Sequence, residues 1–301
     1  MKIMAMSDIH GDFETFDKAL KVVKQSDADV LTISGDILGS MLNEEETESF
    51  MKKLYLMRNL GEQVYHQTNG KINTFKEFKK FLKSDNLELP YDVKSDVEKY
   101  LQFEESIKER QILQYNEFKE RFNDLEKKIV LVPGNWDGSC IDSVLHKENI
   151  HNKGSKNING IEIVGYGGSN LMPQGLSEDA MTEFDGDEAF SHFSNYEDAE
   201  VILTHECPRG FEGNGYFKGE YSLLANIYKN TPSLVLCGHT HSPLIAEEKK
   251  SGTIIANPGN LGRYNGGNFG TFLEINIDEN AFVKPETFYQ LNGNDVKMQK
   301  L

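Results

Sequence analysis

Short apolar runs recur along the chain, and polar residues follow each of them directly. The runs cover residues 3–6, 30–33, 129–132, 201–203 and 234–237. Runs of this length are typical of buried strands. After the first run, apolar residues recur every three to four positions behind a candidate N-cap at Asp12, which predicts a helix over residues 13–25. Strand, helix and strand together predict a right-handed βαβ unit and therefore an α/β fold.

The pattern changes between residues 41 and 128. Acidic residues 44–46 indicate the start of a helix for which Gly61 looks like a stop, and a second helix is predicted over residues 73–83. A third is predicted from about residue 92 to about 127, a length on the order of 50 Å. We interpret residues 41–128 as a helical insertion. It either packs on itself and the domain edge, or serves as a lid or a dimerisation arm.

From residue 129 the α/β pattern resumes. It predicts a short helix over residues 139–147, a hairpin turn at 157–160 before a strand at 161–166, and a helix near 221–228. The glycine-rich residues 165–174 and the acidic run 178–188 are interpreted as a solvated surface loop. Strands at 272–277 and 282–289 are expected to close the second sheet.

Composition narrows the functional classes. The 301 residues carry a net charge of −16, which argues against a nucleic-acid backbone as partner. No stretch approaches the roughly 18 apolar residues of a membrane span, and the first residues show no signal-peptide pattern. We therefore expect a cytoplasmic protein without a membrane partner. The odd number of cysteines, Cys140, Cys207 and Cys237, argues against a disulfide framework, and Cys237 is expected to be a core residue.

The polar residues that follow the strands are metal-type ligands. They include Asp8 and His10, Asp36, Asn135 and Asp137, His205 and Glu206, and His239 and His241. Open α/β sheets gather such residues at the carboxyl ends of their strands. Carboxylate, amide oxygen and imidazole form a donor set that suits Mn, Fe, Zn, Co or Ni better than Ca. The sequence thus predicts a transition-metal site.

The motifs Asp-x-His, Gly-Asp, Gly-Asn-x-Asp, His and Gly-His-x-His, in this order, resemble the calcineurin-like metallophosphoesterase family. The resemblance covers residues 1 to about 40 and about 129 to 260. It implies a four-layer α/β/β/α sandwich, with residues 1–40 and 129–301 as the domain and 41–128 as the insertion. It also implies that Asp8, His10 and His241 bind one metal ion, that Asn135, His205 and His239 bind another, and that Asp36 bridges them.

The function implied by this resemblance is hydrolysis of phosphate esters by a hydroxide bridging two divalent transition-metal ions. No side chain would act as nucleophile, while Asn135 and Arg263 are candidate phosphate contacts. A small, nucleotide-like phosphodiester or activated ester is the expected substrate, and residues 41–128 are a possible surface for homo-oligomers. Two alternatives stay open: a non-catalytic metal-binding module for protein interaction, and a nuclease, against which the acidic charge counts.

The sequence departs from the family at two positions. Many members carry a histidine where Trp136 stands and an aspartate where Gly39 stands, a pair proposed to protonate the leaving group. Both are replaced here, as in the small-phosphodiesterase branch, and an indole N–H cannot serve as a general acid near neutral pH. An alternative interpretation is that Trp136 packs as an apolar wall for a base or aryl group of the substrate. Outside the motifs, His192 is a minor candidate for the site, whereas His66, His146 and His151 are expected to be solvated.

Overall fold

The computed structural model describes residues 1–39, 41, 44–72, 75–83, 91–170, 182–213, 218–262, 269–293 and 295–301. The strands are β1 (Lys2–Met6), β2 (Val30–Ser34), β3 (Lys128–Val132), β4 (Ser155–Ile158), β5 (Ile161–Tyr166), β6 (Val201–Thr204), β7 (Leu234–Leu236), β8 (Leu244–Glu247), β9 (Ile254–Asn257), β10 (Phe269–Ile277), β11 (Val283–Asn292) and β12 (Asp295–Lys300). The helices are α1 (Phe13–Gln25), α2 (Glu44–Gln67), α3 (Phe75–Lys83), α4 (Tyr91–Phe122), α5 (Ile141–Leu145), α6 (Gly186–Ser194) and α7 (Tyr221–Asn230).

The strands form two six-stranded sheets. The order is β12-β11-β10-β1-β2-β3 in the first sheet and β4-β5-β6-β7-β9-β8 in the second. Strands β1, β2 and β3 are parallel to one another, and so are β5, β6, β7 and β9. The predicted mixed α/β class with two sheets is confirmed.

Helix α1 forms as the sequence predicts. The Asp12 side chain caps it by accepting a hydrogen bond from the Thr15 backbone N–H at 3.1 Å, which satisfies a donor that the helix leaves unpaired. Phe13, Phe16 and Val23 are buried on one face. In the sequence β1 precedes α1 and β2 follows it, and the two strands pair in parallel. The predicted βαβ unit is therefore present.

Buried apolar residues divide into clusters that follow the two sheets. Ile3 and Ala5 of β1 lie in a cluster with Ile163 and Leu203 of the second sheet. The alternate residue Met4 belongs to a cluster that includes α1 and part of α4, as the period of two in a strand requires. A third cluster joins the second sheet to α6 and α7. The four-layer description stays a prediction, which these three clusters support.

A fourth cluster, called the helical cluster below, lies among α2, α3 and the first half of α4. Its buried members are Met57, Leu60, Val64, Phe78, Val97, Tyr100 and Ile107. The second half of α4 instead contributes Tyr115, Phe118 and Phe122 to the cluster around α1. The division into residues 1–40 with 129–301 and an insertion at 41–128 stays a prediction, and α4 crosses it. Among the described helices, none is both long and apolar enough to span a membrane.

The structure corrects two predicted helix ends. Gly61 does not stop α2, which continues to Gln67, because Leu60 and Val64 are buried in the helical cluster and their burial outweighs a glycine cost of about 1 kcal/mol. The helix ends before Asn69 and Gly70, which both have positive φ. Helix α4 ends at Phe122 rather than near residue 127.

Two further predictions were wrong, one about the sheet that two strands join and one about a segment predicted to be a loop. The strands predicted to close the second sheet belong to the first, where β10 pairs antiparallel with β1 and is extended by β11 and β12. The end of the acidic run is not loop but α6, whose N-cap Asp185 accepts from the N–H groups of Asp187 and Glu188. Acidic residues stabilise the first turn of a helix, so the charges marked a helix start. Residues 171–181 lie outside the described residues.

Candidate metal centre

All seven predicted ligands lie in loops that follow the carboxyl ends of strands. Asp8 and His10 follow β1, Asp36 follows β2, and Asn135 follows β3 in the first sheet. The second sheet supplies the others: His205 after β6, and His239 and His241 after β7. Both sheets therefore contribute to one site, as expected for parallel strands whose carboxyl ends meet.

Four of these side chains form one compact group. Asp8, His10, Asp36 and His241 each offer a ligand atom within 4.8 Å of the others. His241 Nε2 is 3.3 Å from Asp8 Oδ1, and His10 Nε2 is 3.8 Å from both Asp8 Oδ1 and Asp36 Oδ2. The Nε2 atoms of His10 and His241 are 2.9 Å apart. Carboxylate and imidazole atoms thus converge on one point.

The remaining three side chains form a second group beside Asp36. Asn135 Oδ1 lies 3.1 Å from His205 Nε2 and 3.1 Å from His239 Nδ1. His205 Nε2 is also 3.5 Å from Asp36 Oδ2. Asp36 therefore contacts residues of both groups, which is the position that a bridging carboxylate needs.

The backbone at this site is strained. Five of the seven residues have left-handed φ, namely Asp8 at 55°, His10 at 50°, Asp36 at 50°, His239 at 65° and His241 at 56°. For residues other than glycine this conformation costs on the order of 1 kcal/mol or more each, and it clusters at functional sites. Strand-end periodicity carries no signal for this feature, so the sequence could not predict it.

Two glycines of the motifs allow neighbouring loops of the site to pack closely against each other. A Cβ at Gly134 would collide with the backbone and carboxylate of Asp36. A Cβ at Gly238 would collide with Ser7 Oγ and come within 2.9 Å of Asp8 Oδ2. The Gly-Asn and Gly-His motifs therefore contain glycine because the ligand loops pack against one another at these points.

Hydrogen bonds orient the two histidines of the second group. His205 Nδ1 donates to the Ser34 carbonyl at 2.6 Å, which leaves Nε2 to face Asn135. His239 Nε2 lies 3.1 Å from Ser169 Oγ, and this hydroxyl donates to Glu206 Oε2 at 2.8 Å. With its proton on Nε2, His239 turns the Nδ1 lone pair toward Asn135. Such outer contacts fix tautomers around metal ions. Sequence reasoning missed the orienting role of Ser169 and Glu206, although Glu206 directly follows His205.

Burial and the carboxylates set opposite pKa shifts in the second group. Burial lowers the pKa of His205, but the charge and hydrogen bond of Asp36 outweigh it and raise this pKa to about 10. Burial, together with the charge of His205, lowers the pKa of His239 to about 4. His239 is therefore neutral at pH 7, while the position beside Asp36 favours a positive charge.

In the first group the Asp8 carboxylate is stabilised as an anion. Burial would raise the pKa of Asp8, but the hydrogen bond from His241 and the charges of the neighbouring histidines lower it overall. Burial lowers the pKa of His10. For His241, the hydrogen bond and charge of Asp8 overcome burial and raise the pKa. Asp8 is therefore ionised and faces imidazole nitrogens.

The donor atoms fit a divalent transition-metal ion. Asp8 Oδ1 is buried, and among the described residues its nearest donor is His241 Nε2 at 3.3 Å, a contact that leaves the oxygen short of hydrogen bonds. In the second group, the lone pairs of neutral His239 and of the Asn135 carbonyl oxygen face each other at 3.1 Å, an arrangement that a cation stabilises. The mixture of oxygen and imidazole nitrogen matches Mn, Fe, Zn, Co or Ni.

Other predicted positions lie elsewhere. His192 is buried among the rings of Tyr166, Phe193 and Tyr196. His151 is not solvated as predicted: it packs against Tyr166, its Nδ1 accepts from the Gly167 N–H at 2.8 Å, and burial lowers its pKa to about 4. His66 and His146 are exposed, as predicted. Arg263 lies outside the described residues.

The backbone and the side chain of Trp136 contact different parts of the molecule. Its backbone N–H donates to Asp36 Oδ1 at 2.8 Å, whereas its side chain packs against the helical cluster. The indole therefore anchors the loop to the helices. A Cβ at Gly39 would lie 3.0 Å from the His10 carbonyl oxygen, so the second replaced position is also closely packed.

Two family models match the chain. The one described as calcineurin-like phosphoesterase superfamily domain matches residues 111–280, and the one described as calcineurin-like phosphoesterase matches residues 1–68. The first match covers more than half of the sequence. The curated proteins include no significant match.

Solved structures share the fold at low identity. One crystal structure is 16% identical with a TM-score of 0.56, over 99% of this chain and 98% of the other. The protein TT1561 of Thermus thermophilus is 14% identical with a TM-score of 0.52, over 99% and 98% of the two chains. An archaeal phosphodiesterase is 16% identical with a TM-score of 0.43, over 95% and 98%. The first two likenesses show the fold alone.

Proposed function

The chain belongs to the calcineurin-like phosphoesterase superfamily, and from this premise we propose that it is a phosphate-ester hydrolase with two divalent transition-metal ions. The observation that carries the proposal is the pair of side-chain groups that meet at Asp36. Asp8, His10 and His241 would hold one ion, Asn135, His205 and His239 would hold the other, and Asp36 would contact both. When bound, the ions supply Lewis acidity that activates water and neutralises phosphate charge.

The protein's own residues would hold the ions in place and contact the phosphate group. Asp36, aligned by the Trp136 N–H, and His239, aligned through Ser169, hold the ion positions. Asn135 can also present its amide N–H to a phosphate oxygen, and Arg263 is the proposed second phosphate contact. No side chain is proposed as nucleophile, because none of these residues combines an attacking atom with a partnered general base.

The substrate class follows from leaving-group chemistry. Trp136 packs on the helical cluster and cannot protonate an alkoxide, and Gly39 has no side chain to replace the second acid of the pair. We therefore propose activated esters or phosphodiesters of small, nucleotide-like molecules as substrates, because an acidic alcohol departs without protonation and the two replacements resemble those of the small-phosphodiesterase branch. The net charge of −16 counts against a nuclease, and ligating side chains at all seven positions count against a non-catalytic module.

The test combines metal analysis with a hydrolysis series. The protein, reconstituted with Mn²⁺, is assayed with aryl and alkyl phosphodiesters and with the matching monoesters. We expect rates that rise steeply as the leaving group becomes more acidic, and loss of metal and turnover in Asp36→Asn. The exposed Asp124→Asn serves as control. Unchanged metal content and turnover in Asp36→Asn would contradict the proposal, as would rates independent of leaving-group acidity with chemistry rate-limiting.

A further inference from the structure

Asp137 ties together two of the ligand loops. It is fully buried in the loop after β3. Its Oδ2 accepts from the backbone N–H groups of Gly134 at 2.8 Å and Ile37 at 3.1 Å. Its Oδ1 accepts from the Leu38 N–H at 3.1 Å. Because Ile37 follows Asp36 and Gly134 precedes Asn135, this one carboxylate fixes the distance between two proposed ligands.

The fourth donor to this carboxylate comes from α4. Tyr115 is fully buried, and its hydroxyl donates to Asp137 Oδ1 at 2.9 Å. One turn earlier, Gln111 donates from Nε2 to the Trp136 carbonyl at 3.3 Å, and its Oε1 accepts from Cys140 Sγ at 3.4 Å. The helix therefore contacts the loop after β3 through two side chains four residues apart, which lie on one helix face.

A buried carboxylate needs its full set of donors. Without the tyrosine hydroxyl, Asp137 Oδ1 would keep only the Leu38 N–H within the described contacts. The loss of a donor to a buried charge is costly, because the charge is then less fully compensated in a low-dielectric environment. The loops that carry Asp36 and Asn135 would then sample other positions, and metal affinity depends on such outer contacts.

We infer that Tyr115 is a positioning residue, which acts through Asp137 to hold Asp36 and Asn135 at the spacing that the two ions require. The inference rests on the proposed function, and it makes the second half of α4 a part of the catalytic site. The helix lies within the segment that the sequence marks as an insertion, so the site is not built from the strand-end motifs alone. Tyr115 is not one of the proposed ligands, and its hydroxyl donates to Asp137 rather than to any of them.

Tyr100 provides a matched control in the same helix. It is also fully buried, and its hydroxyl donates to the Glu104 carboxylate at 2.6 Å, but it lies in the helical cluster. Tyr115→Phe and Tyr100→Phe each remove one hydroxyl that donates to a carboxylate and keep the ring. A purely structural role predicts similar effects for the two variants, whereas positioning predicts different ones.

The first readout is Mn²⁺ binding by calorimetry on the full chain. We expect Tyr115→Phe to weaken the affinity about tenfold, within the range for outer contacts of metal sites, and to lower kcat more than it changes KM. Tyr100→Phe should change the affinity less than about twofold. Equal Mn²⁺ affinities in both variants and the wild type, alongside similar losses in thermal stability, would overturn the inference.

The second readout needs no metal. Amide hydrogen exchange in the metal-free chain reports on the backbone N–H groups of Ile37, Leu38 and Gly134, which donate to Asp137. Tyr115→Phe should speed their exchange about five- to tenfold, whereas Tyr100→Phe should not. Unchanged exchange in Tyr115→Phe would overturn the inference. Faster exchange in Tyr115→Phe, together with a wild type that binds no Mn²⁺, would show that Tyr115 holds the two loops through Asp137 but would reject the proposed function. Failure of the inference and failure of the proposed function are therefore distinguishable.

Discussion

The first half of α4 packs against α2 and α3 in the helical cluster, whereas its second half packs against α1 and the first sheet and reaches the candidate metal centre. Val97 and Ile107 lie in the first environment, and Phe118 and Phe122 in the second. One helix thus packs in two regions: the buried residues of the first all come from helices, and the second includes the first sheet. Changes in the first region should stay local, and changes in the second should reach the fold and the site.

Loss of a proposed metal ligand should have the greatest effect on activity. His239→Ala removes a proposed ligand and should lower phosphodiester hydrolysis at least about a thousandfold, equivalent to roughly 4 kcal/mol, with the helical cluster intact. His151→Ala is the control, because His151 is another imidazole that burial holds neutral with a pKa of about 4 but lies outside the group. Circular dichroism and turnover measure the two effects. Similar turnover losses in both variants would show that a general loss of packing explains the result.

The next largest effect compares two buried residues of α4. The rings of Phe118 and Phe16 pack against each other in a tilted arrangement, with centroids 4.8 Å apart. Phe118→Ala should lower the free energy of unfolding by about 3–5 kcal/mol and weaken metal binding. Ile107→Ala should cost about 2–4 kcal/mol within the helical cluster and leave metal affinity unchanged. Denaturant unfolding and calorimetry separate the outcomes. Weaker metal binding in Ile107→Ala would show that the helical cluster is coupled to the site and that the two halves of α4 do not act separately.

The smallest effect is a pH dependence outside both regions. Burial lowers the pKa of His151 to about 4 from 6.5, so between these values the unfolded chain binds a proton that the folded chain does not. Stability should therefore fall as the pH drops from 6.5 toward 4, with about 2–3 kcal/mol assigned to His151. Urea unfolding of wild type and His151→Gln at several pH values measures this share. Parallel curves for the two proteins would show that His151 contributes nothing.

Local patterns predicted much of the fold. The Asp12 cap, the apolar face of α1 and the strand before it depend on residues close in sequence, and the structure confirms them. The seven strand-end residues come together because parallel strands align their carboxyl ends, which is a consequence of topology rather than of any one motif. Their role as ligands stays a proposal.

Features that depend on distant residues escaped prediction. The pairing of β10 with β1 joins the two ends of the chain, and no local pattern identifies that partner. Helix α2 continues through Gly61 because Leu60 and Val64 are buried against residues that lie much later in the sequence. The bond from Tyr115 to Asp137 crosses from a helix to a loop, and a tyrosine in an apolar stripe looks the same whether or not its hydroxyl has a partner.

The metal content of the reconstituted protein shows whether two metal ions share Asp36. Elemental analysis after removal of loosely bound metal, with anomalous scattering from Mn²⁺-soaked crystals, gives both the number and the positions of the ions. We expect two ions per chain, one beside Asp8, His10 and His241 and one beside Asn135, His205 and His239. A single ion per chain at saturating Mn²⁺, or two ions of which neither contacts Asp36, would contradict it.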